Sequence, residues 1–261
     1  MPQPSSASIS FRSWAAPGLA AVRRYWRPFL VLQACALALV IAYYASPDAG
    51  VVRTLCRNLS HLKQTYGILF VALTAAFAGA ILPEITKVIV LGERRFDRPR
   101  LANIAFALGA FAFNGFFTDY QYRVLAFLLG HDASFATAIK KMLADQFVTT
   151  PLYATPYWAL IYAWKNNGFH VRRTLGELGP RWYLAKVMPL LISGWAFWIP
   201  MTLLIYLLPG DLQFCMFLLV LAAWSLIMIF IANRPATATG TPETRVSLPN
   251  ASSQSSTPTS P

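Results

Sequence analysis

The chain has 261 residues, of which 56% are hydrophobic and only 12% are charged. An average soluble domain has about 25% charged residues, so this composition excludes an ordinary soluble protein. The net charge of +12 does not indicate a nucleic-acid-binding protein, because the basic residues are divided among loops rather than gathered in one patch.

Six long windows of the sequence contain no Asp, Glu, Lys or Arg. A hydrocarbon core about 30 Å thick needs roughly 20 apolar residues of helix to span it. Backbone groups inside lipid must satisfy their own hydrogen bonds, so each window should be helical. The predicted fold class is therefore an all-α polytopic transmembrane helix bundle with five to six spans. The windows are residues 28–47, 64–83, 101–118, 146–164, 187–210 and 212–233.

The N-terminal segment, residues 1–27, is basic and is predicted to be disordered. Its lack of acidic residues is also typical of a mitochondrial transit peptide, but a basic tail directly before an apolar window is the preferred interpretation. The first span begins at Pro28, which suits the first turn of a helix. We assign residues 28–58 to this additional N-terminal span and its loop, and residues 59–234 to the main transmembrane bundle.

The second and third spans each contain two small residues four positions apart. Ala75 and Gly79 lie in the second span, and Ala105 and Gly109 lie in the third. This spacing lets helix backbones approach closely in lipid, so we expect the two spans to pack together.

The third helix should continue past its window to about Leu129 and end at Gly130. A further helix should start near Ser134 and run into the fourth span. Prolines inside the later spans are candidate hinges, because proline removes a backbone hydrogen bond from a helix. The candidate hinge residues are Pro151, Pro156 and Pro200.

A short connection, Leu208-Pro-Gly-Asp211, should make the last two spans an antiparallel pair. The tail, residues 235–261, is rich in Ser, Thr and Pro and is predicted to be disordered. Most Lys and Arg residues fall in the N-terminal segment and in the second and fourth loops. With six spans, the positive-inside rule places both termini inside. A five-span arrangement would put the tail on the other side.

No enzymatic signature is present, and the three histidines lie in predicted loops. We therefore predict no catalytic residues, no metal and no cofactor. Charged residues concentrate instead at the ends of the spans. Asp119 and Arg123 are four positions apart, with the acid first, which is the favourable order on a helix. Lys141 and Asp145 have the same separation, and both pairs should lie at the outer end of the bundle.

Glu84 and Lys87 should lie at the inner end of the second span, and Asn103 and Asn114 are polar residues within the third window. One interpretation is a polar path through the bundle, because ionisable groups at such depth usually face the interior or water. The other is structural ion pairing that only holds the helices together. A small-solute transporter would need a solvent-accessible cavity around Asn103 and Asn114.

Three stretches are similar to the family of the Mpv-seventeen protein and the twenty-two-kilodalton peroxisomal membrane protein. They are Asn114-Gly-Phe-Phe-Thr-Asp-Tyr-Gln-Tyr122, Lys140-Lys-Met-Leu-Ala-Asp-Gln146 followed by Pro151, and Trp195-Ala-Phe-Trp-Ile-Pro200. Phe116 stands where the family has proline, and the amide residues of the family's C-terminal signature fall on apolar residues around Met201 to Ile205. The positions that match the family are Gly115, Tyr120, Tyr122, Lys141, Asp145, Gln146, Pro151, Trp195, Trp198 and Pro209.

The resemblance covers about residues 60–234 and implies a non-enzymatic integral membrane protein with a channel-like or membrane-homeostasis role. The alternatives are a structural or scaffolding membrane protein without conductance and a small-solute transporter. The predicted partners are the lipid bilayer and copies of the same chain in a homo-oligomer, with no nucleic acid. The bacterial cytoplasmic membrane is the favoured location, and a mitochondrial or peroxisomal membrane is expected if the host is eukaryotic.

Overall fold

A computed structural model describes residues 11–232, and within this range every regular element is helical and no strand occurs. The α-helices are α1 (Phe11–Ala45), α2 (Val51–Ala76), α3 (Leu82–Val90), α4 (Arg98–Leu129), α5 (Phe135–Ala144), α6 (Thr155–Asn166), α7 (Val171–Gly176), α8 (Met188–Tyr206) and α9 (Gly210–Ala232). Three π-helical segments connect or precede them: Phe77–Ile81, Asp145–Ala154 and Tyr183–Val187.

Four helical stretches in the described range are long and apolar enough to cross a membrane. They are Trp26–Ala45, Val51–Val90, Arg98–Leu129 and Tyr183–Tyr206, and a shorter apolar helix covers Gly210–Leu226. The predicted all-α bundle of membrane-type helices is therefore confirmed. The fourth apolar window of the sequence, residues 146–164, is divided between a π-helical segment and α6, so it forms no single long α-helix.

Two stretches predicted to be irregular are helical. Helix α1 begins at Phe11, so residues 11–27 are not the disordered segment expected there; residues 1–10 and the predicted tail 235–261 lie outside the described range. Helix α2 begins at Val51, which reduces the first loop to residues 46–50. Both stretches are rich in Ala, Leu or Arg, and these residues favour helix. Gly67, with φ +50°, interrupts α2 between its basic first half and its apolar second half.

Helices α2 and α4 pack together, as predicted, but through different small residues on α4. Gly115 lies against α2, where a Cβ atom would come within 2.3 Å of the Ala75 Cβ. A Cβ atom on Gly79 would likewise clash with the ring of Phe111. Gly109 faces open space, so the predicted role of the Ala105–Gly109 pair was wrong. Gly115 is the residue that lets the two backbones approach closely.

The connection from α4 to α5 agrees with the sequence prediction. Helix α4 ends at Leu129, and Gly130 follows with φ +113°, a conformation that L side chains rarely adopt. The Ser134 hydroxyl then caps α5 by accepting a hydrogen bond from the Thr137 N–H at 3.3 Å. The position of α5 relative to α4 is therefore fixed by ordinary helix-end chemistry.

The additional N-terminal helix α1 packs against α8, where Phe29 contacts Phe197 with ring centroids 5.3 Å apart. Pro200 lies inside α8 and cannot donate a backbone hydrogen bond to the Ala196 carbonyl one turn earlier. The Gln33 side chain of α1 donates to that carbonyl at 3.0 Å. The carbonyl left free by the predicted hinge residue Pro200 is therefore a docking point for α1.

Candidate functional site

A cavity of about 1090 Å³ lies inside the bundle, between α4, α6, α8 and α9. This volume is at the upper end of the range for small-molecule sites. Helix α4 contributes one continuous face to it, at intervals of three or four residues. The α4 lining residues are Asn103, Ile104, Ala107, Phe111, Asn114, Thr118, Gln121 and Tyr122.

The cavity is long in the direction of α4. From Asn103 to Tyr122 a helix rises about 28 Å, which is close to the roughly 30 Å thickness of a bilayer hydrocarbon core. Four of the lining residues on this face are polar: Asn103, Asn114, Thr118 and Gln121. Polar residues therefore lie at both ends of this face, Asn103 at one end and Asn114 to Gln121 at the other, with apolar lining residues between them.

One end of the cavity is solvent-exposed, and we call it the open end. Asn103, Asn166, Glu177 and Lys186 line it and are exposed. The charged lining residues here are of both signs: Glu84, Lys87, Lys165, Glu177 and Lys186. The entrance is therefore wet and charged, without a single dominant sign.

The other end is buried, and we call it the closed end. Asp145 lines it with only 6% of its surface exposed. One carboxylate oxygen accepts a hydrogen bond from the Tyr206 hydroxyl at 2.7 Å, and the other accepts from the Thr150 hydroxyl at 3.2 Å. Gln121 is a further polar neighbour. No Lys or Arg nitrogen of the described residues lies within 4.0 Å of this carboxylate.

Gln146, next to Asp145, is 2% exposed and lines the same closed end. Its side-chain carbonyl oxygen is buried and accepts no hydrogen bond from the described residues. Asn114 is 8% exposed, and its amide has no hydrogen-bond partner in this part of the chain either. Buried polar groups are normally satisfied, so two amides without partners at one cavity are unusual.

The main chain at Asp145 is π-helical, which separates Asp145 from the regular geometry of α5. In a π-helix the Gln146 carbonyl would accept from the N–H of residue 151, but Pro151 has none. The indole N–H of Trp195, on α8, donates to this carbonyl at 3.0 Å instead. The hydroxyl of Tyr183 donates to the Pro151 carbonyl at 2.9 Å. The main-chain donor that is missing at Pro151 is therefore replaced by a side chain from α8.

All three π-helical segments contribute lining residues to the cavity, through Gly79 and Ala80, through Asp145 to Ala154, and through Lys186. Single π-helical turns often mark functional positions in helices. The other two predicted hinges are also compensated by side chains. Helix α6 continues directly from the π-helical segment, so Pro156 leaves the Pro151 carbonyl without its π-helical donor and the Tyr183 hydroxyl donates there instead. The Ala196 carbonyl left free by Pro200 is covered by Gln33.

The predicted pair between Lys141 and Asp145 does not form. The pairing prediction was wrong because base before acid is the weaker order on a helix and because Asp145 already begins the π-helical segment. Lys141 does not line the cavity and is 1% exposed, with no hydrogen-bond or ion-pair partner among the described residues. It precedes Asp145 by one helical turn, in the last turn of α5.

The predicted pair between Asp119 and Arg123 is present, at 2.8 Å between the Arg123 Nη2 and Asp119 Oδ2 atoms. A third residue joins it, since Lys63 from α2 lies 2.6 Å from the other carboxylate oxygen. None of the three lines the cavity. This cluster ties α2 to α4, and it matches the structural interpretation rather than a mouth of a polar path.

At the open end, Glu84 pairs with Lys87 at 2.7 Å, as predicted. Arg100 also pairs with Glu84 at 2.8 Å and donates to the carbonyls of Glu93 and Arg95. The charge of Glu84 is therefore already compensated within the protein.

The structure brings six of the predicted polar residues to one cavity, at two different depths. Glu84, Lys87 and Asn103 lie toward the open end, and Asn114, Asp145 and Gln146 lie toward the closed end. Sequence reasoning missed Gln121 and Tyr206. The spacing of Asn114, Thr118 and Gln121 along one helix face was a usable signal for Gln121, whereas nothing local points to Tyr206, which lies 61 positions from Asp145.

Tryptophan is concentrated around this cavity. Five of the eight tryptophans of the chain line it: Trp158, Trp182, Trp195, Trp198 and Trp224. Such rings provide large apolar faces that bear negative electrostatic potential. The lining therefore combines aromatic walls with a few fixed polar groups, the usual composition of a small-molecule site.

No protein-family model, no curated protein and no solved structure matches this chain. The resemblance described above stays a prediction from the motif residues.

Proposed function

We propose that this multi-pass membrane protein moves a small polar solute across the membrane through the cavity, in a channel-like manner. The observation that carries the proposal is the lining face of α4, which has polar residues at both ends, Asn103 at one and Asn114 to Gln121 at the other, along a cavity nearly as long as a bilayer is thick. A helix that crossed the membrane only to support its neighbours would have no reason to keep polar residues on this face. We further propose the bacterial cytoplasmic membrane, with both termini inside.

The closed end of the cavity is the proposed gate. Asp145, Gln146, Thr118 and Thr202 are all buried where the cavity stops. Passage requires this end to open, and the π-helical segment at Asp145–Ala154 is the place where the backbone is held by side chains from other helices. Movement of this segment against α8 would connect the cavity to the other side.

The competing function is a structural membrane protein without conductance. The Lys63–Asp119–Arg123 cluster favours it at one position, because this cluster joins two helices outside the cavity. The two functions differ in what the cavity residues are expected to do. A structural protein has no transport to lose. Replacing its polar lining residues should change only the stability of the fold.

The test uses full-length protein reconstituted in liposomes and in planar bilayers, with solute flux and conductance as the two measurements. Replacing Asn114 by Leu places an apolar side chain on the cavity wall and should reduce flux by at least about tenfold. Tyr120→Leu is the matched control, because Tyr120 lies on the same helix, does not line the cavity and is 57% exposed. It should keep the flux of the unmodified protein.

Conductance would identify a pore, and flux that saturates without conductance would identify a carrier. If the unmodified, folded protein gave neither, or if Asn114→Leu and Tyr120→Leu behaved alike, the transport proposal would be wrong. Unchanged flux with altered thermal stability would favour the structural function.

A further inference from the structure

We infer that the closed end of the cavity is a binding site for a protonated amine, with Asp145 as the counter-ion and the Gln146 side-chain carbonyl as a second acceptor. The inference rests on the proposed function, since the amine would be the solute that the path carries. Binding itself can be measured without transport.

The closed end holds a carboxylate without a cationic partner. Asp145 is the sole charged residue in the buried part of the described cavity lining, and no basic group of the described chain pairs with it. Its hydrogen bonds come from neutral groups, the hydroxyls of Tyr206 and Thr150 and the side-chain amides of Gln146 and Gln121. A buried carboxylate normally has a cationic partner, because neutral donors offset only part of its desolvation.

An amide oxygen without a hydrogen-bond donor, that of Gln146, lies beside Asp145. The Gln146 Nε2 atom lies 3.4 Å from Asp145 Oδ1, so the amide nitrogen is turned toward the carboxylate and the oxygen is left without a donor. Carboxylate and amide oxygen are both acceptors. An ammonium group has several N–H donors and no acceptor, so it satisfies both at once.

Two tryptophans of α8, Trp195 and Trp198, line the cavity near this end. Trp195 is fixed beside Gln146 by its hydrogen bond to the Gln146 main chain, and Trp198 lines the cavity one turn further along α8. Aromatic faces attract cations in desolvated sites and have no such preference for anions. The two rings also accommodate a short alkyl chain, which favours an alkylammonium over a bare metal ion.

The charges at the open end are compatible with a cationic ligand. The charged lining residues there include two acids and three lysines, and one of the acids is already paired. Selection by charge is therefore expected at the buried end, where Asp145 acts in a medium of low dielectric constant.

The experiment is calorimetric titration of the detergent-solubilised full-length protein with propylammonium chloride, and with sodium propionate as the isosteric anion. We expect saturable binding of propylammonium and none of propionate. Asp145→Asn should weaken binding at least about tenfold, because a charge-assisted hydrogen bond is lost. Gln146→Met, which keeps the carboxylate, should weaken it several-fold. Glu93→Gln is the matched control, since it removes an exposed carboxylate that does not line the cavity, and should leave binding unchanged.

Equal binding of propylammonium and propionate by the unmodified protein would overturn the assignment, and this comparison needs no variant. Equal binding by folded Asp145→Asn would overturn it as well. The outcomes also separate the two proposals. Amine binding without flux would support the site and contradict the transport function, whereas flux of another solute without amine binding would contradict the site alone.

Discussion

The Nζ atom of Lys63 lies 2.6 Å from the Oδ1 atom of Asp119, and this contact joins α2 to α4. The carboxylate of Asp119 is nearly buried, while the side chain of its other partner, Arg123, is 68% exposed. The buried contact, rather than the exposed one, compensates most of the Asp119 charge, because solvent screens the exposed pair.

Lys63→Met should therefore lower the free energy of unfolding by at least about 1 kcal/mol, and by less than the roughly 3–5 kcal/mol of a fully broken buried pair, because Arg123 remains. Arg123→Met should cost under about 1 kcal/mol. Thermal unfolding in detergent measures both. Since the cluster lies outside the cavity, flux should be unchanged in each variant. A loss of flux at unchanged stability would place Lys63 in the solute path instead.

Removing the charge of Lys141 should have the opposite effect on stability. Its side chain is 1% exposed and makes no hydrogen bond or ion pair within 4.0 Å among the described residues; the Asp132 carboxylate attracts it only from farther away. The ammonium group is therefore a cost to the fold. Lys141→Met should raise stability by at least about 1 kcal/mol. Lys140→Met is the control, since Lys140 is exposed and adjacent, and it should change stability by less than about 0.5 kcal/mol. If Lys141→Met destabilised the protein, a partner for this ammonium group would have to exist.

Gly115 is predicted to be intolerant of a side chain. In Gly115→Ala the new Cβ would lie 2.3 Å from the Ala75 Cβ and 3.0 Å from the Val71 carbonyl oxygen, so α2 and α4 must move apart. Overpacking of this kind costs about 1–3 kcal/mol. Gly109→Ala, on the same helix but facing open space, should be neutral or slightly stabilising, because alanine favours helix. Equal thermal stability of the two variants would show that the close approach of α2 and α4 is not needed.

Asp132, in the connection between α4 and α5, should make stability depend on acid pH. Hydrogen bonds from Ser134 and from the Thr137 hydroxyl lower the pKa of Asp132 from 3.8 to about 2. A lowered pKa stabilises the folded state above the unfolded value, and this contribution disappears as pH falls through about 2. The stability difference between the unmodified protein and Asp132→Ala should be constant above about pH 4 and shrink between pH 3.8 and about 2. A pH-independent difference would show that the carboxylate charge is not involved.

Much of the fold could be predicted from the sequence, because a helix surrounded by lipid needs a long run of residues without charge, and such runs are visible in the sequence. The end of α4 at Gly130 and the cap of α5 at Ser134 are local signals and appear where expected. The basic stretch before Gly67 was misread as a loop, since charge was taken to indicate irregular structure. Arg and Lys are good helix formers, and Lys63 needs its helical position to reach Asp119.

The candidate site was predictable in composition but not in geometry. Asn114, Asp145 and Gln146 were identified, yet the partner expected for Asp145 was Lys141. The π-helical turn that begins at Asp145 and the contact with Tyr206 depend on packing between α4, α5 and α8, which no local spacing encodes. Long-range hydrogen bonds of single side chains are the part of the site that sequence periodicity cannot supply.

The contact between Trp195 and the Gln146 carbonyl leads to the last prediction. Trp195→Phe keeps an aromatic ring and removes the donor, leaving a buried main-chain oxygen without a partner, because Pro151 has no N–H to offer. The expected loss of stability is about 1–3 kcal/mol. Trp198→Phe is the control, since the Trp198 indole N–H has no hydrogen-bond partner among the described residues, and it should cost less.

A double-mutant cycle with Pro151→Ala separates this hydrogen bond from the packing of the indole ring. Alanine at position 151 restores the N–H that a π-helical ladder would direct to the Gln146 carbonyl. Trp195→Phe should therefore cost at least about 1 kcal/mol less in the Pro151→Ala background than in the unmodified protein. Additive effects of the two changes would mean that Trp195 stabilises this segment by packing alone. Reduced flux in Pro151→Ala, at equal or higher stability, would in addition support the π-helical segment as the moving part of the gate.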